Sequence, residues 1–125
     1  MRLLLDTPIF IWVVSDDAKL SGAAWSLIET ADAVYVSSAS IWEATIKYQL
    51  GKLPIESDRL VETVVSSGFL ELSITLRHAA AVRKLPLLHR DPFDRLLLAQ
   101  AISEPLILMT ADDRLAQYSE LVHKV

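Results

Sequence analysis

The stretch His89-Arg90-Asp91-Pro92-Phe93-Asp94-Arg95-Leu96-Leu97-Leu98-Ala99-Gln100-Ala101 joins two carboxylates three residues apart to an apolar helix body. Asp91 suits an N-cap and Pro92 the first helical position, where a missing N–H does no harm, so Asp94 falls in the first turn. Residues three apart share a helix face, which lets both carboxylates look the same way. Capping alone accounts for this much: an N-cap Asp and an acid at the third helical position satisfy free N–H groups and the helix dipole. The body that follows marks a core element. Whether the stretch is a cap or a site depends on whether other acids occupy equivalent places.

Working outward, three more stretches show the same form. Arg2 to Leu5 is a buried strand closed by Asp6, and Thr7-Pro8 opens a helix with Thr7 as cap. Asp6 then stands one residue earlier than capping requires, at the carboxyl end of a strand, where open α/β sheets place their ligands. Ala33 to Val36 is a second strand, and Ser40-Ile41-Trp42-Glu43 after it has the capping-box form. Lys47, four residues on, offers Glu43 a surface partner or a phosphate contact. Leu106 to Met109 is an apolar strand followed by Thr110-Ala111-Asp112-Asp113. Thr110 caps a short helix to Tyr118 in this reading. Asp113 falls at the capping-box position, so Asp112 is the less explained acid and Asp113 its alternative.

The remaining segments complete an alternating order. Ser21 to about Ala31 reads as a helix, Gly51 and Pro54 stop the helix that Ser40 begins, and Asp58 to Ser67 is a helix with Leu60, Val61, Val64 and Val65 inward. Gly68 turns the chain into a strand, Phe69 to Leu72. Thr75 to Leu85 is a helix with Ala79, Ala80 and Val82 inward and His78 satisfied at its surface or edge. Leu121-Val122 is a last edge strand. Alternating strands and helices with short connections imply an α/β fold, a three-layer α/β/α sandwich whose parallel central sheet has four to five short strands.

A chain of 125 residues makes one domain, 1–125, and 52% apolar residues suit a sheet covered on both faces. With no cysteine there is neither a disulfide framework nor a thiolate metal site, and a cytoplasmic location is the simpler expectation. Met1 to Val14 is apolar, but Asp6 and Pro8 interrupt it, which argues against export or a membrane span. A net charge of −4 argues against non-specific nucleic-acid binding through a broad basic surface but does not exclude a nucleic-acid enzyme that holds cations on acids.

In such a sheet the carboxyl ends of the strands share one edge, so Asp6, Glu43, Asp94 and Asp112 are expected to gather there. Four close carboxylates repel one another, and some stay protonated unless a cation removes the penalty. Oxygen-only donors select Mg²⁺ or Mn²⁺ over Zn²⁺. Such ions can activate water against a phosphodiester. Neither a Gly-rich phosphate loop nor a dinucleotide fingerprint is present.

Leu3-Leu4-Leu5-Asp6-Thr7, Ser40 to Lys47 with Leu50-Gly51-Lys52-Leu53, His89 to Ala101, and Thr110-Ala111-Asp112 resemble the PIN-domain ribonucleases of the VapC type, the toxin half of a toxin–antitoxin pair. The resemblance runs nearly the whole length, and its third segment is the most specific. It implies that Asp6, Glu43, Asp94 and Asp112 bind Mg²⁺ or Mn²⁺ for hydrolytic cleavage of RNA. It also implies a homodimer and inhibition by a small antitoxin whose tail fills the groove. Pro8 departs from the His common at that place in related chains. Asp91 contributes through water or as a cap alone, and His89 lies beside the acidic helix start.

Two other readings stand beside this one. Asp6 could be the nucleophile of an aspartyl-phosphate phosphoryl-transfer domain, although Thr7-Pro8 supplies no second acid next to it. The domain could also be a non-catalytic binding module that keeps its acids as caps and partner contacts. Arg90, Arg95, Lys47 and Lys52 are candidate phosphate contacts if they are not simply solvated surface charge.

Overall fold

Leu3, Leu4 and Leu5 set the layering, because successive side chains of a strand point to opposite faces. Leu3 and Leu5 pack into one core with Ile9, Phe10, Ala24, Ile28 and Leu60, while Leu4 packs into a second with Leu97, Leu98, Ala101, Leu106 and Leu108. The strand is therefore buried on both sides. This computed structural model describes residues 1–87 and 90–125, so the expectation for His89 lies outside the described residues.

In chain order the elements are β1 (Arg2–Leu5), α1 (Thr7–Ser15), α2 (Gly22–Thr30), β2 (Ala33–Ser37), α3 (Ser38–Gln49), α4 (Ser57–Ser66) and β3 (Leu70–Leu72). Then come α5 (Leu76–Ala81), a 3₁₀ turn (Val82–Lys84), α6 (Pro92–Ser103), β4 (Ile107–Thr110), a second 3₁₀ turn (Leu115–Gln117) and β5 (Val122–Lys124). The strands form one sheet in the order β3-β2-β1-β4-β5, and every pair is parallel. The expected α/β/α sandwich is present, with the sheet at the upper end of the expected strand number. The chain winds outward from β1 to β3, then returns across the sheet to β4. The direction reverses between β1 and β4, and the carboxyl ends of strands flanking such a reversal leave a crevice for ligands.

Several local expectations are corrected. Thr7 does not cap α1; Asp6 does, its Oδ1 accepting the Ile9 N–H at 3.0 Å, with Pro8 in the first turn where its missing N–H is not needed. Nor does Ser40 open α3. Ser37 caps that helix by accepting the Ala39 N–H, the helix starts at Ser38, and the box between Ser40 and Glu43 does not form. On α4, Leu60 is buried but Val61 and Val65 are exposed, because the helix turns only one edge to the core. On α5, Ala79 and Ala80 face solvent and Val82 is half-buried, while His78 is the buried residue. Thr75 and His78 close a reciprocal capping box there. Thr110 is the last residue of β4 rather than a helix cap, and only the 3₁₀ turn at Leu115 follows it. Gly51 and Gly68 stand at φ +73°, the left-handed backbone that ends α3 and α4.

Candidate active site

Asp6 leaves the end of β1 beside β4, to which its own N–H is still tied through the Met109 carbonyl at 3.0 Å. Its side chain is 2% exposed. Oδ1 is held by the Ile9 N–H, and Oδ2 accepts a short hydrogen bond from the Thr110 hydroxyl. Burial pushes the Asp6 carboxyl up to about 7; the charges of Asp94 and Glu43 add to the rise, while the Thr110 and Ile9 hydrogen bonds oppose it. Those charges place Asp6, Glu43 and Asp94 in one electrostatic neighbourhood.

Glu43 comes from the second turn of α3, where capping does not explain it. The residue is 8% exposed, and Lys47 pairs with its Oε2 at 3.0 Å. Oε1 is buried without a hydrogen-bond partner among the described residues. A buried carboxylate oxygen left unpaired costs about 1–3 kcal/mol or more, so it has a reason to be there only if something else meets it.

Asp94 stands in the first turn of α6, as the sequence predicts. Asp91 caps the helix by accepting the Phe93 N–H at 2.9 Å and the Asp94 N–H at 3.1 Å. Arg95, next to Asp94, is 9% exposed, and its guanidinium donates to the carbonyls of Pro86, Val82 and Leu85. It locks the start of α6 to the 3₁₀ turn before it, and this corrects its candidacy as a phosphate contact.

Asp112 follows β4. Its N–H donates to Thr110 Oγ1 at 3.0 Å, so the hydroxyl that serves Asp6 also fixes the backbone of Asp112. Its carboxylate is turned to Arg114, with Nη2 to Oδ2 at 3.0 Å and Nε to Oδ1 at 3.2 Å. Asp113 instead points outward, exposed and paired with Lys124 at 3.4 Å. Asp94 and Asp91 both act on the Arg114 guanidinium, so this cation stands within reach of the acids at the start of α6.

A cleft of about 290 Å³ opens beside these groups, between α3 and the start of α6, with Glu43, Lys47, Lys52, Asp91 and Phe93 in its wall. Trp42 and Phe93 meet edge to face across the two helices, ring centroids 5.1 Å apart. A larger hollow of about 400 Å³ lies among Ile41, Val61, Val65 and Phe69, with Glu71 the one acid among its described lining residues. It is apolar, whereas Glu43 and Asp91 line the smaller cleft.

Among the described residues, no three acidic or histidine side chains stand close enough, as placed, to enclose a metal ion. The donors nevertheless suit a hard divalent cation: they are all oxygens, one is buried and unpartnered, and burial has raised another toward neutrality. Asp6 is a weak candidate for a phosphoryl-accepting nucleophile, since both its oxygens are engaged and it is almost fully buried.

Sequence reasoning passed over Thr110 and Arg114. In the sequence the capping pattern claims Thr110. The usable signal was its place at a strand end two residues before an acid. Thr7 and Ser40 also bond to each other in the buried wall, hydroxyl to hydroxyl at 3.0 Å, and join α1 to α3.

No curated protein matches the chain in sequence. Solved structures do match in fold. VapBC2 from Rickettsia felis, bound to a DNA fragment from their promoter, superposes with a TM-score of 0.71 at 16% identity, over 99% of this chain and 98% of that one. DNA-bound VapBC from Salmonella typhimurium gives 0.68 at 16% identity, over 100% and 97%. A toxin–antitoxin complex from Klebsiella pneumoniae gives 0.67 at 18% identity, over 98% and 99%. A family model for the PIN domain matches residues 3–121, nearly the whole chain, and with the parallel sheet and its acidic edge this settles the assignment: the chain belongs to the PIN domain family.

Proposed function

We propose that this PIN domain is a metal-dependent endoribonuclease, the toxin of a toxin–antitoxin pair. The observation that carries the reading is the buried Glu43 Oε1, unpartnered among the described residues, together with the raised Asp6 carboxyl. These are carboxylates arranged at a cost that a cation relieves. Asp6, Glu43 and Asp94 would hold Mg²⁺ or Mn²⁺, and Asp112 would complete the site. When bound, such an ion supplies the charge that stabilises phosphate oxygens and lowers the pKa of a water for attack on phosphorus.

The chain's own residues do the rest. Thr110 orients Asp6 and the backbone of Asp112. Asp91 fixes the first turn of α6 and so the direction of Asp94. Lys47 and Lys52, both exposed in the cleft wall, offer positive charge to the backbone of an RNA strand lying there.

The partner expected from the fold likeness is a cognate small antitoxin, since the matched structures are toxin–antitoxin complexes. A homodimer belongs to the same proposal. Trp42, Leu50, Val65 and Leu76 are large apolar side chains open to solvent, and a protein partner would cover such surface. The proposed site of action is the cytoplasm; among the described residues, no helix is long and apolar enough to cross a membrane.

The test is cleavage of cellular RNA in Mg²⁺ by the wild type, by Asp6→Asn and by Asp94→Asn, each shown to be folded. The expected result is loss of cleavage of at least about a hundredfold in both variants, of the order seen when transition-state charge stabilisation is removed. Cleavage at the wild-type rate by either folded variant would overturn the reading.

A further inference from the structure

Arg114 forms a two-point ion pair with Asp112, Nη2 to Oδ2 and Nε to Oδ1, and its backbone N–H donates to the same Oδ1 at 2.9 Å. Three donors from one residue thus converge on one carboxylate, and the planar guanidinium fork matches it better than a point charge would. The fork does not belong to a distant patch. Asp94 and Asp91, from the start of α6, also favour its charge, so their field reaches the guanidinium that Asp112 holds. The arrangement needs no strain: the pair is local, two residues apart, and Arg114 is largely exposed and able to swing away.

From this geometry we infer that Arg114 is a tethered counter-cation that competes with the divalent ion for Asp112. Until an ion enters, Arg114 holds Asp112 off the acidic cluster and relieves part of its repulsion. An ion that takes its place on Asp112 would free the guanidinium, whose bidentate donors would then be available to a phosphate. The inference rests on the proposed metal site and assigns Asp112 as the last carboxylate to join it.

The experiment measures Mn²⁺ affinity by calorimetry or electron paramagnetic resonance, without RNA, for the wild type, Arg114→Gln, Arg114→Lys, Asp112→Asn and the Arg114→Gln/Asp112→Asn double variant. Thermal melting in chelator confirms that each is folded. Removing the competing charge is expected to tighten Mn²⁺ binding by roughly two- to fivefold, the scale of a partly screened ion pair, with the gain shrinking at high salt. Arg114→Lys, which keeps the charge but loses the two-point fork, is expected to fall between the wild type and Arg114→Gln. The Asp112→Asn background is expected to abolish the gain.

Unchanged or weaker binding by Arg114→Gln, with the wild type binding normally, overturns this inference and leaves the metal site standing. A gain that persists in the double variant also overturns it, because Arg114 would then act as general positive charge. No Mn²⁺ binding by the wild type sinks the metal site and the inference together.

Discussion

The Thr110 hydroxyl donates to the Asp6 carboxylate, joining the carboxyl ends of β4 and β1 across the point where the sheet reverses direction. The bond is fully buried, and the same oxygen receives the Asp112 N–H. Thr110→Val keeps the shape of the side chain and removes both roles. At pH 8 the variant is expected to lose ~1–3 kcal/mol in urea unfolding, the usual cost of orphaning a buried hydrogen-bonding group. The loss is expected to shrink below pH 5, where Asp6 is protonated and demands less of its partner.

Asp6 also makes the stability of the ion-free protein depend on pH. Its folded carboxyl is raised from 3.8 to about 7, so the unfolded chain gives up this proton first as pH rises. The stability it contributes is present in full below about pH 4 and is lost as pH climbs through about 7. In chelator, the urea midpoint is expected to fall across that window, and Asp6→Asn to flatten the fall while keeping the cap on α1. Saturating Mg²⁺ is expected to restore stability at pH 7 and above by binding the folded state. A midpoint in chelator that rises over the window in the wild type, or falls equally in Asp6→Asn, would contradict the assignment.

His78 is the second buried polar centre, and it lies on the opposite side of the sheet from α1. Its Nδ1 accepts the Thr75 N–H at 3.2 Å, so the ring proton sits on Nε2 and meets Glu104 Oε2 at 2.6 Å. Gln100 extends the chain of bonds from His78 to Ser37 at the end of β2. His78→Ala is expected to cost ~2–4 kcal/mol by thermal or urea unfolding, since it leaves a cavity and unpaired groups in a packed layer. Glu104→Gln, at a half-exposed position, is expected to cost less than about 1 kcal/mol. Equal losses in the two variants would show that the buried ring is not what holds this layer.

Much of this was legible from local patterns because the forces involved are local. Asp91 and Pro92 announce the start of α6 through the first unpaired N–H groups of a helix. The apolar runs at Leu3 and Leu106 announce strands buried on both faces. Helix starts were less secure wherever several hydroxyl or acid residues adjoin. Asp6 and Thr7 both suit a cap, as do Ser37, Ser38 and Ser40, and only the path of the strand before them chooses. On α5 the alanines looked like the inward face, but a histidine with three polar partners was the one buried.

The sequence by itself determined the order of strands and helices, the absence of thiol chemistry, and the presence of acids just past strand ends, because spacing and side-chain chemistry are properties of the chain. Tertiary structure alone decided that β1 lies between β2 and β4, so that residues 6 and 110 become hydrogen-bonded neighbours. It also decided that Glu43 is buried with one oxygen unmet, and that Arg114 covers Asp112. Burial and pairing between residues distant in sequence depend on how the sheet is wound, and no local propensity encodes that winding.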